Sequence, residues 1–172
     1  MLTRERALQI LSEVGCSPKI IEHTKAVAQE SVRIARQISQ SGHKVNTSLV
    51  EIGAILHDIG RSHTYGIKHG IEGAQILREK GLEDLTGFAE NHLGAGISAE
   101  EAERIGLPKK DYLPATLEEK IVTYADNLIR GDEIITFEEA VEELKGELGP
   151  DHPSLERFSE LREKLRDLGG VD

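Results

Sequence analysis

The stretch Leu49-Val-Glu-Ile-Gly-Ala-Ile-Leu-His-Asp-Ile-Gly60 decides the fold. Leu49, Ile52, Gly53, Ala54, Ile55 and Leu56 make it apolar nearly all round, the pattern of a central helix buried on every side. Asn46 or Thr47 supplies its N-cap, and the helix ends at His57-Asp58-Ile59-Gly60. His57 and Asp58 stand side by side at this buried end, where an ionisable pair is costly to desolvate unless a partner such as a metal ion compensates it. Adjacent helical residues diverge in direction, so both reach one cation only where the helix ends beside it or the ion bridges them. The stop at Gly60 permits that geometry.

Outward from this helix, apolar residues recur at three- and four-residue spacings along almost the whole chain, and alternating strand-like runs are scarce. The expected fold is all-α, a bundle of about seven to eight helices. A short helix from about Thr3 to Val14 stops at Gly15, and Ser17-Pro18 then provides an N-cap and a first-position proline for a long helix to about Ser41. After a polar loop from Arg61 to Lys68, helices are predicted from about His69 to Lys80 and from Glu83 to about His92. Ser98 with Glu101, Thr116 with Glu119 and Thr136 with Glu139 are capping boxes that mark three further starts. Pro150-Asp-His-Pro153 breaks the chain before a last amphipathic helix ending near Gly169-Gly170.

The 172 residues match one ordinary domain. We expect a single unit over 1–172, with a core at about 17–131 and acidic C-terminal helices, 132–172, covering it or making a homodimer contact. Their apolar stripes are Ile134, Ile135, Phe137, Val141, Leu144 and Leu148, then Leu155, Phe158, Leu161, Leu165 and Leu168. No apolar run approaches the roughly 18 residues of a membrane span, and the N-terminus has no apolar leader, so a cytoplasmic location is the expectation. Single Cys16 reads as a small packed residue, not a nucleophile. The net charge of -10 and the absence of Trp oppose general nucleic-acid binding. Most of that charge lies in residues 132–172, which carry 13 acidic and 5 basic side chains.

A histidine, a His-Asp pair and a distant aspartate form an ordered series: His23 in Ile21-Glu-His-Thr24, the pair in Leu56-His57-Asp58-Ile59-Gly60, and Asp126 in Tyr124-Ala-Asp-Asn127. In this the chain resembles the HD-domain superfamily of metal-dependent phosphohydrolases. His69, in His69-Gly-Ile-Glu-Gly-Ala74, and His92, in Glu90-Asn-His-Leu-Gly94, stand where binuclear members carry extra histidine ligands. The resemblance implies a metal set of His23, His57, Asp58, His69, His92 and Asp126. Asp58 would bridge two ions, His23, His57 and Asp126 completing one and His69 and His92 serving the other. A weaker resemblance is to bacterial symmetrical diadenosine-tetraphosphate hydrolases. The chain departs from that pattern at Asn127-Leu-Ile-Arg130, and it lacks the His-His pair and Gly-Tyr-Pro segment of cyclic-dinucleotide phosphodiesterases.

Imidazole and carboxylate ligands without cysteine suit one or two divalent transition ions such as Mn, Fe, Co, Ni or Zn. Such an ion generates a hydroxide nucleophile near neutral pH, so no side-chain nucleophile is required. The expected reaction is hydrolysis of a phosphate ester or phosphoanhydride of a small molecule, in first place a nucleotide. Asp58, Arg61 and Lys68 are the expected catalytic residues, and Arg61, His63, Lys68 and Arg130 the candidate phosphate clamps, Arg130 by lying one helical turn beyond Asp126. The alternatives are a mononuclear nucleoside 5'-monophosphate phosphatase using His23, His57, Asp58 and Asp126, a non-catalytic module that binds metal and nucleotide, and an oxygenase with paired iron.

Overall fold

The computed structural model describes residues 2–172. It contains α1 (Arg4–Glu13), α2 (Pro18–Gln40), α3 (Thr47–Leu56), a 3-10 turn (Ile59–Ser62), α4 (His69–Glu79) and a second 3-10 turn (Glu83–Leu85). The chain continues through α5 (Thr86–Glu90), α6 (Ala99–Arg104), α7 (Leu117–Asn127), a hairpin of β1 (Ile129–Arg130) and β2 (Glu133–Ile134), α8 (Phe137–Leu148) and α9 (Pro153–Asp167). The fold is all-α apart from that hairpin. There are nine α-helices among the described residues against the seven to eight expected, one for each helix start read from the sequence, and α5 and α6 among them are only five and six residues long. The segment expected as one helix from Glu83 to His92 is a 3-10 turn followed by α5.

α3 is the centre. Val50, Ile52, Ala54, Ile55 and Leu56 are all buried, and α2, α7, α1 and α5 pack around them. α2 contributes Val27, Ile34, Ala35 and Ile38, and α7 contributes Ile121, Val122 and Ala125. The caps form where the sequence places them: Thr3, Ser17, Asn46, Ser98, Thr116 and Thr136 each accept a backbone N–H of the first turn. The Ser98 and Thr136 boxes close in both directions. At Thr116 the carboxylate of Glu119 instead accepts from Ala115 N (3.0 Å) and Asn91 Nδ2 (3.1 Å), tying the start of α7 to the residue before His92.

α8 and α9 lie on the outside of α7 through an aromatic stack. The rings of Phe137 and Phe158 are 4.9 Å apart, Tyr124 of α7 lies 5.4 Å from Phe158, and the Arg162 guanidinium sits 4.3 Å from the Phe137 centroid. Ala140, Leu144, Phe158, Leu161 and Leu165 are buried there. The stripe expected from Ile134 to Leu148 is narrower than its sequence suggests: Ile134, on β2, is 61% and Leu148, at the end of α8, 39% exposed. No helix among the described residues is long and apolar enough to cross a membrane.

The glycines after the His-Asp pair allow the helices that carry the site to meet. A Cβ on Gly60 would overlap the His69 carbonyl oxygen at the start of α4, and one on Gly70 would lie 2.8 Å from the Ala89 carbonyl oxygen of α5. Both glycines are needed for close backbone approach. They bring His69 and His92 down onto the end of α3.

Candidate metal centre

His23 projects from the second turn of α2, His57 is the C-cap of α3, Asp58 follows it, His69 opens α4, His92 lies two residues beyond α5, and Asp126 stands near the end of α7. The six side chains converge. Asp126 Oδ1 is 2.9 Å from His23 Nε2 and 3.3 Å from His57 Nε2. Asp58 turns its two oxygens to different partners: Oδ2 lies 3.8 and 3.7 Å from the Nε2 atoms of His23 and His57, and Oδ1 lies 3.3 Å from those of both His69 and His92.

All four imidazoles are held alike. Each places Nδ1 on a backbone carbonyl: His23 on Gly131 (2.6 Å), His57 on Ala54 (2.6 Å), His69 on Gly66 (2.8 Å) and His92 on Ala89 (2.7 Å). A carbonyl only accepts, so each Nδ1 carries a proton, and Nε2, facing inward, is the atom left to bind a cation once it gives up any proton it holds. The Nε2 atoms of His69 and His92 are 3.0 Å apart. Two lone pairs at that distance, facing a carboxylate oxygen, repel unless a cation or a proton lies between them. His57 Nε2 and Asp58 Oδ1 are buried without a hydrogen-bond partner. Buried polar atoms are rarely left so, and here each is a potential ligand atom aimed at a common space. The residues therefore fit a divalent ion bound by nitrogen and oxygen.

The electrostatics without an ion agree. Burial disfavours the Asp58 carboxylate, but His57, with His69 and His92, outweighs it and holds the pKa well below the usual range. Burial pulls His57 down while the Asp58 and Asp126 carboxylates push harder the other way, raising it to about 9. His92 moves down, from burial first and then from the neighbouring imidazoles. Binding a cation at these atoms releases whatever protons they hold.

A cavity of about 320 Å³ opens above the cluster. His23, His69, His92 and Asp126 line its floor with Arg61, while Asn127, Ile129, Leu144, Glu143 and Glu147 are among its walls. Of the four expected phosphate clamps, Arg61 alone is in the lining. Its Nε donates to Asp58 Oδ2 at 2.9 Å. His63 is exposed and bonded to Ser62 Oγ, and Lys68 is exposed just before α4. Arg130 is a correction to the sequence reading: α7 ends at Asn127, so Arg130 lies on β1, off the face of Asp126, and pairs with Glu143. Cys16 is buried, its thiol pushed up to about 11 by burial first and by Asp58 second. That environment suits packing and not nucleophilic attack.

Sequence reasoning missed Asn127, whose Nδ2 donates to Gly94 O and Thr123 O (both 2.8 Å), and the α8 carboxylates. It also missed the hairpin that supplies the Gly131 carbonyl. A Gly131-Asp132 pair between Leu128-Ile-Arg130 and Glu133-Ile-Ile135 was the available signal.

A family model described as HD domain matches residues 20–131, which include all six converging side chains. The chain belongs to the HD-domain family. As a member of this superfamily of metal-dependent phosphohydrolases it is a metal-dependent hydrolase. The HD-domain chain is 47% identical over 165 residues to an uncharacterized protein of Methanocaldococcus jannaschii, covering 95% of this chain and 97% of that one. It is 40% identical to the tRNA (cytidine(56)-2'-O)-methyltransferase of Picrophilus torridus, covering 98% of this chain and 48% of that protein. The same enzyme of Thermoplasma volcanium is 39% identical, with 96% and 47% covered. The chain thus spans about half the length of these two relatives. Among solved structures, the HD domain of the L. monocytogenes phosphodiesterase PgpH in complex with cyclic-di-AMP shares the fold at a TM-score of 0.56 and 19% identity, with 91% of this chain and 93% of that one covered.

Proposed function

We propose that this HD-domain protein hydrolyses a phosphate ester of a nucleotide-sized molecule at a pair of divalent transition ions. His23, His57 and Asp126 hold one ion, His69 and His92 the other, and Asp58 bridges them. The observation that carries the reading is the division of Asp58: one oxygen faces His23 and His57, the other faces His69 and His92. A carboxylate that serves a single ion has no need of imidazoles converging on both its oxygens.

When bound, such ions lower the pKa of a water and stabilise charge on phosphoryl oxygens. The chain's own residues do the rest. Four carbonyl bonds hold the imidazoles with Nε2 toward the centre, and Arg61, anchored by Nε on Asp58 and lining the cavity, keeps its other N–H groups available to recognise a phosphoryl oxygen. The cavity, about 320 Å³, suits one nucleotide-sized group. Glu147 on its wall, beside Glu143 that is paired with Arg130, disfavours additional phosphates. A nucleotide is also what the PgpH HD domain holds in its complex. Methyl transfer is left out of this reading, because the chain spans only half of the relatives named for it.

The test is elemental analysis of the purified wild-type chain and of Asp58→Ala, beside a screen of phosphate release from nucleoside mono-, di- and triphosphates and dinucleotides with added Mn, Co, Ni, Fe or Zn. Two ions per wild-type chain, lost together in Asp58→Ala, with release strongest from monophosphates, is the expected result. Full metal content in Asp58→Ala sinks the bridging role. One ion per wild-type chain with release confined to monophosphates favours the mononuclear phosphatase, and bound metal without phosphate release from any substrate favours a binding module.

A further inference from the structure

The four site histidines differ in what lies behind their Nδ1 bonds. His57 and His92 donate to carbonyls three residues back, Ala54 in α3 and Ala89 in α5, both buried. His23 and His69 donate to carbonyls in surface turns, Gly131 and Gly66. Each proposed ion therefore has one imidazole held by a buried helix and one held by a turn. The Gly131 bond is the long-range one, joining residues 108 positions apart.

Gly131 begins the two-residue turn Gly131-Asp132 that closes the hairpin, with Ile129 opposite Ile134 and Arg130 opposite Glu133. Its φ is +64°, and no non-glycine among the described residues has a positive φ, so that of Asp132 is negative. Positive then negative φ is the pattern of a type II′ turn, whereas type I′ requires positive φ at both central residues. The two turns close the same hairpin but differ by a flip of the peptide between their central residues. That flip reverses the carbonyl of residue 131. A Cβ on Gly131 would meet nothing within 4 Å, so the glycine is demanded by its backbone angle and not by crowding. The hairpin is itself fixed, by Ile135 N donating to Leu128 O (2.8 Å) and by the pair between Arg130 and Glu143 of α8.

We propose that the type II′ turn at Gly131-Asp132 is a positioning device for His23: it aims the carbonyl that keeps the ring proton on Nδ1, and so sets metal affinity at the position formed by His23, His57 and Asp126. This rests on the reading of His23 as a ligand. Gly131 touches no reacting atom and acts through the imidazole alone.

The test uses the full chain with its turn rewritten as Asn-Gly (Gly131→Asn with Asp132→Gly), which favours type I′ and keeps the two-residue loop. Asp132→Ser, which retains a Gly-first turn, is the control. Two quantities are read: Zn or Co binding by calorimetry, and the imidazole 15N shifts of metal-free protein at alkaline pH, His23 being assigned by its loss in His23→Gln. In wild type and Asp132→Ser, His23 carries its proton on Nδ1 and binding is equal. In the Asn-Gly variant the Nδ1 preference is lost and one of the two ions binds about 10- to 100-fold more weakly, the usual effect of removing an outer hydrogen-bond partner, while the other is unchanged. An Asn-Gly variant that matches wild type in affinity and tautomer overturns the inference, as does a wild-type His23 protonated on Nε2 or an equal loss in Asp132→Ser. Should the Asn-Gly chain fail to fold by circular dichroism, the wild-type tautomer and the Asp132→Ser binding decide. A wild-type chain that binds no metal sinks the ligand reading itself, whereas intact wild-type binding with an unaffected Asn-Gly variant sinks only the role of the turn.

Discussion

Among the described residues, Arg61 is the one arginine or lysine that both touches the His-Asp pair and lines the cavity. Its planar fork lets one N–H hold Asp58 while others remain for substrate, a division of labour that an ammonium cannot reproduce. Arg61→Ala is expected to lower kcat/KM for phosphate release by about 10²-fold, in the range for loss of one donor to developing charge. The metal content should stay at the wild-type level. Arg61→Lys should recover little of the loss. Steady-state kinetics beside metal analysis checks this, and an unchanged kcat/KM in Arg61→Ala removes Arg61 from the site's chemistry. In the sequence Lys68 had the same standing as Arg61, and His63, on the same polar loop, was a phosphate-clamp candidate beside them. The 3-10 turn at Ile59–Ser62 separates them, because it folds Arg61 back three residues onto Asp58 while leaving the rest of the loop exposed.

At the level of elements, the segment between α5 and α6 carries His92 and the wall residue Gly94, and α9 holds it in place. Arg157 donates to the Glu101 carboxylate at 2.7 and 2.9 Å and to Gly96 O at 2.8 Å, while Glu101 also accepts from Ser98 N at 2.7 Å. Burial raises the Glu101 pKa, but Arg157 and the Ser98 amide outweigh it and the net shift is downward. A carboxyl lowered on folding contributes stability above its unfolded pKa, and that contribution is lost as pH falls through the folded value. Glu101→Gln should therefore cost about 1–3 kcal/mol at neutral pH. The difference from wild type should shrink as pH falls from about 5 through about 4.3, where the unfolded glutamate is half protonated, toward the lower folded value. Urea denaturation at both pH values measures it, and a cost independent of pH would show that shape and not charge is what Glu101 supplies. The reciprocal caps at Ser98 and Thr136 were legible because a capping box is local, four residues read together. The diversion of Glu119 to Asn91 and Ala115 was not, since it depends on a loop 28 residues away.

Across the whole molecule, the uneven charge acquires a direction. The acidic C-terminal region is not only a solvated tail: α8 presents Glu143 and Glu147 to the cavity whose floor carries His23, His69, His92, Asp126 and Arg61. Replacing Glu147 with Gln removes one repulsive charge near a bound anion, worth about 1 kcal/mol at short range in water. Activity on di- and triphosphates relative to monophosphates is expected to rise about fivefold at low salt, and the gain should fade as salt increases. A ratio unmoved at any ionic strength would mean that Glu147 does not sense the substrate.

What the sequence determined by itself was the all-helical architecture, the starts of nearly every helix, and the identity of the six side chains that converge. Those are carried by short-range patterns: 3.6-residue apolar periodicity, caps within one turn, and a His-Asp pair stranded at the end of an apolar helix. Only the tertiary structure decided which oxygen of Asp58 faces which histidines, which of four basic residues enters the cavity, that Arg130 leaves the helix for a hairpin, and that Gly131 holds His23. Each of these turns on a contact between distant residues or on the direction of a single carbonyl. Neither quantity leaves a periodic trace in the chain, because a peptide flip or a long-range approach changes no residue's neighbours in sequence.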